Sequence, residues 1–176
     1  MPGRPHAHKL SAFVGLIGAV LLFGAAAAQA ADLYSYQPPA GWQDFTHTNF
    51  GDRADAVWRG PTDAKFGENV LVLVKPGARS LEQASDSSAL LAQWPQAKIA
   101  KRAMTVCGGH PAAYVYVAAP WHGKTLISEN VISVWDGVVF SATYSHLSYQ
   151  ETVQAARASL ATLCPGFASR NSATTW

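Results

Sequence analysis

The segment of this sequence with the most evident chemical potential is Thr105–Pro111, which reads TVCGGHP and places Cys107 three residues before His110. A thiol and an imidazole at this spacing are compatible with a metal site, or with a nucleophile beside its base. The intervening glycines, Gly108 and Gly109, are also compatible with a tight turn. The rest of the sequence provides the evidence that discriminates among these three interpretations.

Cys107 and His110 lack the additional ligands that a metal site requires. A structural zinc site needs four Cys or His ligands, usually in two closely spaced pairs. A c-type haem attachment needs a second cysteine beside the first. The remaining candidate ligands are isolated in the sequence: Cys164, His47, His122 and His146. We therefore predict that the protein binds no metal and no cofactor.

Residues 1–30 have the composition of a secretory signal peptide. Arg4 and Lys9 make the start basic, and Ala12–Gly24 is an uncharged apolar run of 13 residues. Ala28-Gln29-Ala30 then matches a cleavage site, and no cysteine stands next to it for lipid attachment. An uncleaved anchor is the alternative, but a spanning helix needs about 20 apolar residues. We therefore expect export to the periplasm or the extracellular space.

Both cysteines, Cys107 and Cys164, lie beyond this leader. An even number of cysteines in an oxidising compartment indicates a disulfide and argues against a free catalytic thiol. Closing the loop between the two positions would stabilise the fold by about 4 kcal/mol through the lost entropy of the unfolded chain. In this interpretation Gly108-Gly109 forms a hairpin turn, Pro111 starts the next strand, and His110 is a turn residue.

A serine triad is not predicted. Ser145 and His146 are adjacent in the sequence, and adjacent residues of a strand point to opposite faces of its sheet. Asp136 lies on the same predicted hairpin, but no G-x-S-x-G elbow is present. Ser148 fits better as the N-cap of a helix.

The charge balance argues against a nucleic-acid-binding protein. The chain has 13 basic and 11 acidic residues, and loss of the leader removes two of the basic ones, so the mature chain is formally neutral. Such a chain has little overall attraction for phosphate backbones or anionic lipid. Its length favours one domain over residues 31–165, followed by a loosely ordered tail over 166–176. We expect no stable membrane span once the leader is removed.

Two amphipathic helices are predicted. The C-terminal helix would begin at Ser148, with a glutamate three residues later as its capping box, and end at Cys164-Pro165-Gly166. Its apolar stripe consists of Tyr149, Val153, Ala156, Leu160 and Leu163. The other helix would begin at Ser80, with a glutamine in the box position, and end at Trp94-Pro95.

The remaining elements are predicted to be strands. Asn69–Lys75 is apolar on both faces, which is typical of a strand that is covered on both sides. Val131–Ser145 contains the hairpin signal Asp136-Gly137, and Ala112–Ala119 alternates tyrosine with valine. Further strands are predicted at Lys98–Val106, Asp55–Arg59 and Gln43–Phe50. We therefore predict an α+β fold, in which a mostly antiparallel sheet is flanked by two main helices, one on each face or both on one.

The chain has Pro39-Ala40-Gly41-Trp42 near its start, a G-G-x-P-A turn within Val106–Ala112, and the Asp136-Gly137 hairpin ahead of a C-terminal helix. In this layout it resembles the PsbP-like sandwich, and within it the bacterial exported LpqN-type proteins. The resemblance covers nearly all of the chain after the leader, but this chain lacks the lipidation cysteine of the lipoprotein members. It implies a fold that serves in binding and scaffolding, and it transfers no catalytic residue.

Aromatic residues on the predicted hairpins form the remaining candidate site. Tyrosines in such stripes are commonly half-buried core residues with their hydroxyls at the edge. Alternatively, they form a shallow binding surface for an unidentified protein or small molecule. This candidate surface consists of Trp121, Tyr114, Tyr116 and Tyr144.

The function that these observations favour is an exported, non-enzymatic binding or accessory domain of the cell envelope. It rests on the leader, the cysteine pair and the failure of each catalytic arrangement considered above. A cell-envelope hydrolase that uses His146 or His110 is the alternative, and a purely structural envelope protein is a third possibility. The position of the two histidines relative to serines, carboxylates and a pocket discriminates among them.

Overall fold

The computed structural model describes residues 33–46, 54–61, 66–78 and 80–166. The strands are β1 (Tyr34–Ser35), β2 (Gln43–Asp44), β3 (Ala56–Arg59), β4 (Asn69–Pro76), β5 (Lys98–Thr105), β6 (Pro111–Trp121), β7 (Lys124–Trp135), β8 (Val138–Leu147) and β9 (Cys164–Pro165). The helices are α1 (Leu81–Ala84), α2 (Ser88–Gln93) and α3 (Gln154–Ser159), with 3-10 turns at Cys107–Gly109 and Leu160–Thr162.

The strands form one large antiparallel sheet in the order β2-β3-β4-β8-β7-β6-β5, and β1 pairs separately with β9. The predicted α+β architecture with a mostly antiparallel sheet is confirmed. The predicted leader (1–30), the tail beyond Gly166 and the second half of the predicted strand Gln43–Phe50 lie outside the described residues. None of the described helices has the length and apolar composition of a membrane span.

Two-residue turns join the three longest strands. Asp136 and Gly137 have φ angles of 49° and 74°, and His122 and Gly123 have φ angles of 46° and 74°. Two consecutive positive φ angles define the hairpin turn whose twist matches that of paired strands. The Asp-Gly prediction is therefore confirmed, and the His-Gly turn has the same geometry. Together the turns fix the register of β6, β7 and β8.

Helices cover both faces of the sheet. On the face that α3 covers, the core contains Val70, Val72, Val131, Phe140, Ala142 and Tyr144 from the strands, with Ala156, Leu160 and Leu163 against them. This surface is called the α3 face. On the opposite α1 face, the core contains Val115, Val117 and Ala119, with Ile99, Ile132 and Leu90 packed on them. One helical layer therefore lies on each face, which was one of the two arrangements that the sequence left open.

The predicted start of the C-terminal helix at Ser148 is wrong. The helix begins at Gln154, and the amide of Ser148 donates to the carbonyl of Thr125, 2.9 Å away, in the turn after β8. The side chain of Gln150 accepts from the amide of Leu147 at 2.6 Å and stabilises this turn instead of a helix. Tyr149 consequently projects from the surface and is 59% exposed. The remainder of the predicted stripe, from Val153 to Leu163, does pack on the core.

The helix predicted from Ser80 to Trp94 is broken into α1 and α2. Its start is confirmed, because the Ser80 hydroxyl accepts from the amide of Gln83 at 3.1 Å. Asp86 interrupts the helix: its carboxylate accepts from both the amide and the hydroxyl of Ser88, at 3.0 and 2.8 Å, and so starts a new helical turn. The second segment ends at Trp94, as predicted.

Cys107 and Cys164 form a disulfide, with their Cα atoms 4.6 Å apart. Cys107 lies in the turn between β5 and β6, where Gly108 and Gly109 have φ angles of 72° and 75°. The amide of Val106 donates to the carbonyl of His110 at 2.9 Å and closes this predicted turn. The bridge therefore ties one edge of the sheet to the segment that follows α3.

Replacing both cysteines, as Cys107→Ser with Cys164→Ser, should lower the free energy of unfolding by about 4 kcal/mol, because the unfolded chain regains the entropy of a loop of 57 residues. Denaturant titration under oxidising conditions measures the loss. A reducing agent should destabilise the wild-type protein and leave the double variant unchanged. Equal stability of the two proteins without reductant would contradict the expectation.

Ser80→Ala should destabilise the fold by about 1 kcal/mol, because it removes the acceptor for the amide of Gln83. Ser148→Ala is the matched control, since Ser148 caps no helix, and it should change stability by less than about 0.5 kcal/mol. Thermal unfolding followed by circular dichroism compares the two variants. A larger effect at Ser148 than at Ser80 would show that this assignment of the helix start is incorrect.

Candidate functional site

The predicted aromatic surface does not form a single patch. Tyr114 and Tyr116 lie half-buried on the α3 face of β6, as the alternation of that strand predicts. Tyr144 points to the same face from β8 but is fully buried, so it cannot contact a partner. Trp121 falls in the alternate phase of β6, and its ring packs edge-on against Phe66 at 5.2 Å. Of the four residues, only Tyr114 and Tyr116 are neighbours on an accessible part of one face.

Tyr144 ties the start of α3 to the sheet. Its hydroxyl accepts from the amide of Val153 at 3.1 Å and donates to Oε2 of Glu68 at 3.3 Å. Burial raises the pKa of Tyr144 to about 12, against the lowering effect of the Val153 amide. Burial also raises the pKa of Glu68. These bonds satisfy polar groups that are removed from water, which is a structural task.

A buried carboxylate, Glu129 in β7, is the residue that the sequence analysis missed. It is fully buried and accepts two hydrogen bonds from Arg157 of α3, at 2.6 Å from Nε and 2.5 Å from Nη2. The hydroxyl of Tyr114 donates a third, at 2.5 Å. A signal for it exists in the sequence, because Glu129 occupies the same phase of β7 as Ile127 and Val131, which face the core.

The pKa values of this network follow from its contacts. Burial by itself raises the pKa of Glu129, but the hydrogen bonds from Arg157 and Tyr114, together with the charge of Arg157, bring it below its ordinary value. The pKa of Arg157 is raised, mainly by its bond to the carboxylate. The pKa of Tyr114 is raised by burial and by the adjacent Glu129. The three groups therefore keep a charged pair and a neutral phenol at neutral pH.

His146 lies next to this network but completes no catalytic arrangement with the described residues. It is 4% exposed, and its Nε2 atom is 3.9 Å from Oε1 of Glu129, which is beyond hydrogen-bond distance. Nε2 has no hydrogen-bond partner within the described part of the chain. Ser145 points to the opposite face, as predicted, where its hydroxyl lies 3.3 Å from that of Ser128.

His110 is remote from His146, at the other end of the sheet. Its ring packs edge-on against Trp135, with 4.4 Å between the ring centroids. Its carbonyl belongs to the turn between β5 and β6. Among the described residues no group of three or more His, Cys, Asp or Glu side chains could hold a metal ion.

An open groove of about 790 Å³ lies on the α3 face, where β5 begins and β6 ends. Tyr116, Ala118 and Ile127 line its floor. Lys124 and Tyr149 form part of its rim, where the ammonium group donates to the Tyr149 hydroxyl at 3.1 Å and lies 4.4 Å from the ring centroid. Because Tyr116 is among its lining residues, this cavity is called the Tyr116 groove.

A second hollow of about 260 Å³ continues along the same edge of the sheet. Arg102 lies over the ring of Tyr114 at 4.3 Å and lines this hollow together with Arg157. Lys98 and Arg102 belong to one face of β5, so the two hollows follow each other along this strand. The described residues that line them include five basic side chains and no acidic one: Lys98, Lys101, Arg102, Lys124 and Arg157. Arg157 is paired with Glu129, but the other four cations make this surface positively charged as well as aromatic.

Comparison with known proteins supports the fold alone. The chain is similar to LpqN of Mycobacterium tuberculosis, with a TM-score of 0.53 and 18% identity over 75% of this chain and 83% of LpqN. LpqN is described as involved in cell envelope biogenesis. Cyanobacterial PsbP from Synechocystis sp. PCC 6803 aligns with a TM-score of 0.49 and 14% identity, over 67% of this chain and 76% of that protein. No family model and no curated protein matches the sequence. The LpqN match confirms the predicted resemblance to the PsbP-like sandwich at the level of layout.

Arg157→Ala should lower the free energy of unfolding at neutral pH by about 2–3 kcal/mol, because it leaves the buried Glu129 carboxylate without its cation. The value is at the low end for a buried pair, since the Arg157 side chain is 39% exposed. Arg102→Ala is the control: it removes a cation from the other side of Tyr114 and should cost at most about 1 kcal/mol.

The difference between Arg157→Ala and the wild-type protein should shrink in acid. The folded pKa of Glu129 is depressed, so its carboxylate stabilises the wild-type fold above the unfolded value of about 4.3. This stabilisation is lost as the pH falls through the folded pKa. Urea titrations from pH 7 into the acid range measure it, and a difference that is independent of pH would refute the assigned role of the pair.

Proposed function

We propose that the protein is exported and acts as a non-enzymatic binding or accessory domain of the cell envelope, with the Tyr116 groove as its binding site. The observation that carries the proposal is the contrast between the two parts of the α3 face. Polar groups beneath α3 are engaged in bonds that hold the fold together, whereas the groove presents Tyr116, Tyr149 and Lys124 at an open surface.

Export is supported by two independent features. The first is the leader at 1–30, and the second is the disulfide between Cys107 and Cys164, which is typical of oxidising compartments. A role in the envelope agrees with what LpqN is described as doing. The two features apply equally to the periplasm and to the extracellular space, so the proposed compartment is either of these.

The contacts of the two histidines favour binding over the hydrolase alternative. A general base needs to approach the proton that it removes, and His146 is almost completely covered by protein. Tyr144 stacks on its ring, with 4.9 Å between the ring centroids. His110 packs against Trp135 at the far end of the sheet, away from the Tyr116 groove. Neither ring lines the groove.

The proposal is tested by passing envelope extract over the immobilised protein and quantifying the retained molecules by mass spectrometry. Tyr149→Ala should reduce retention of the specific component by about tenfold or more, as expected for an exposed aromatic anchor. Trp135→Ala is the matched control, because Trp135 is 43% exposed at the opposite end of the sheet. Equal retention by both variants and the wild-type protein, or no retention at all, would refute the proposal.

A further inference from the structure

One end of the sheet combines exposed apolar side chains with lysines. The segment before β5, the turn between β6 and β7, and the turn after β8 meet there, because Lys98 pairs with Ala118 and Leu126 pairs with Leu147. This region is called the basic-aromatic end. It consists of Trp94, Pro95, Lys98, Pro120, Lys124 and Tyr149.

The apolar members of the basic-aromatic end are exposed although they are large. Trp94 is 40% exposed and Tyr149 is 59% exposed. A hollow of about 290 Å³ lies between Trp94, Pro95 and Pro120, and it adjoins the Tyr116 groove through Pro120. Apolar side chains therefore border the groove on its outer side, where burial against a partner would remove them from water.

The charged members make this end positive, although the mature chain is formally neutral. Lys98 and Lys124 are both exposed and line the groove. No acidic side chain lines the groove or either neighbouring hollow among the described residues. The net charge of the mature chain is near zero, which by itself argues against attraction to anionic lipid. The charges are unevenly distributed, however, and the end that carries the groove is positive.

We propose that the basic-aromatic end docks on the surface of an anionic lipid bilayer; this rests on the proposed export and on the groove as the binding site. Tryptophan and tyrosine prefer the boundary between headgroups and acyl chains, and lysines beside them attract anionic headgroups. Trp94 lies outside the groove but next to it, so a small soluble anion bound in the groove would leave the Trp94 ring in water. A bilayer would contact the lysines and this ring together.

The test measures cosedimentation of the exported protein with vesicles of phosphatidylcholine alone and of phosphatidylcholine with an equal part of phosphatidylglycerol. We expect binding to the anionic vesicles that weakens as salt is added. Lys98→Glu combined with Lys124→Glu should weaken it by about twentyfold or more, since each lysine near an anionic surface contributes about a fivefold gain in affinity. Trp94→Ala should weaken it as well.

Lys75→Glu is the matched control. Lys75 carries the same charge and is exposed, but it pairs with Val139 at the end of the sheet opposite to the basic-aromatic end. It should change binding by less than about twofold. Melting curves establish that each variant is folded, and Lys98→Gln with Lys124→Gln provides a milder second pair. Control and groove variants with equal effects would overturn the proposal, as would equal binding to neutral and anionic vesicles.

Failure of this inference is distinguishable from failure of the proposed function. Retention of an envelope component that depends on Tyr149, without binding to anionic vesicles, would refute bilayer docking and leave the binding function in place. Glycerol phosphate in solution serves as the probe for a soluble anion. If it bound in the Tyr116 groove while vesicles did not bind, the ligand would be a free anion and the bilayer proposal would be wrong.

Discussion

The structure depends on satisfying one carboxylate that has no contact with water. Glu129 lies in β7 with its side chain directed at α3, and burial of an isolated charge would be prohibitive. Arg157 and Tyr114 together supply three hydrogen bonds to it. Because one partner comes from the helix and the other from β6, the carboxylate determines where α3 lies on the sheet. Apolar packing of Leu160 and Leu163 stabilises that position but is less directional.

The same constraint distinguishes the tyrosines whose hydroxyls are bonded within the fold from the tyrosine that lines the groove. Tyr114 is oriented by Glu129, and Tyr144 is oriented by Glu68 and the amide of Val153. Their hydroxyls are therefore committed to the fold. Tyr116, two residues further along β6, is directly opposite Glu129 in the register of β6 and β7, and it lines the open groove. Two tyrosines that are two residues apart on one strand therefore differ in their surroundings: one donates a hydrogen bond to a buried carboxylate, and the other is part of an accessible surface.

Much of the fold was predictable because it follows from local rules. Alternation in Ala112–Ala119, the Asp136-Gly137 turn and the glycine pair at Gly108-Gly109 each have one favoured backbone geometry, and all three occur as predicted. The helix starts were less predictable, because capping residues compete. Ser148 matched the pattern of a capping box, but its segment forms a turn that is closed by the side chain of Gln150 and does not start a helix. Asp86 likewise restarted a helix that the apolar pattern predicted to be continuous.

The sequence by itself determined the strands and their alternation, the tight turns and the presence of two cysteines able to pair, since these depend on neighbours within a few residues. Only the tertiary structure decided the candidate site. The tyrosines were visible in the sequence, but the burial of Tyr144 and the placement of Trp121 on another face depend on which strands pair. The clustering of Lys98 with Lys124 was equally hidden, because the two residues are brought together by antiparallel strands. The net charge does not show where charged side chains lie in space, because it is only the sum of all charges in the chain.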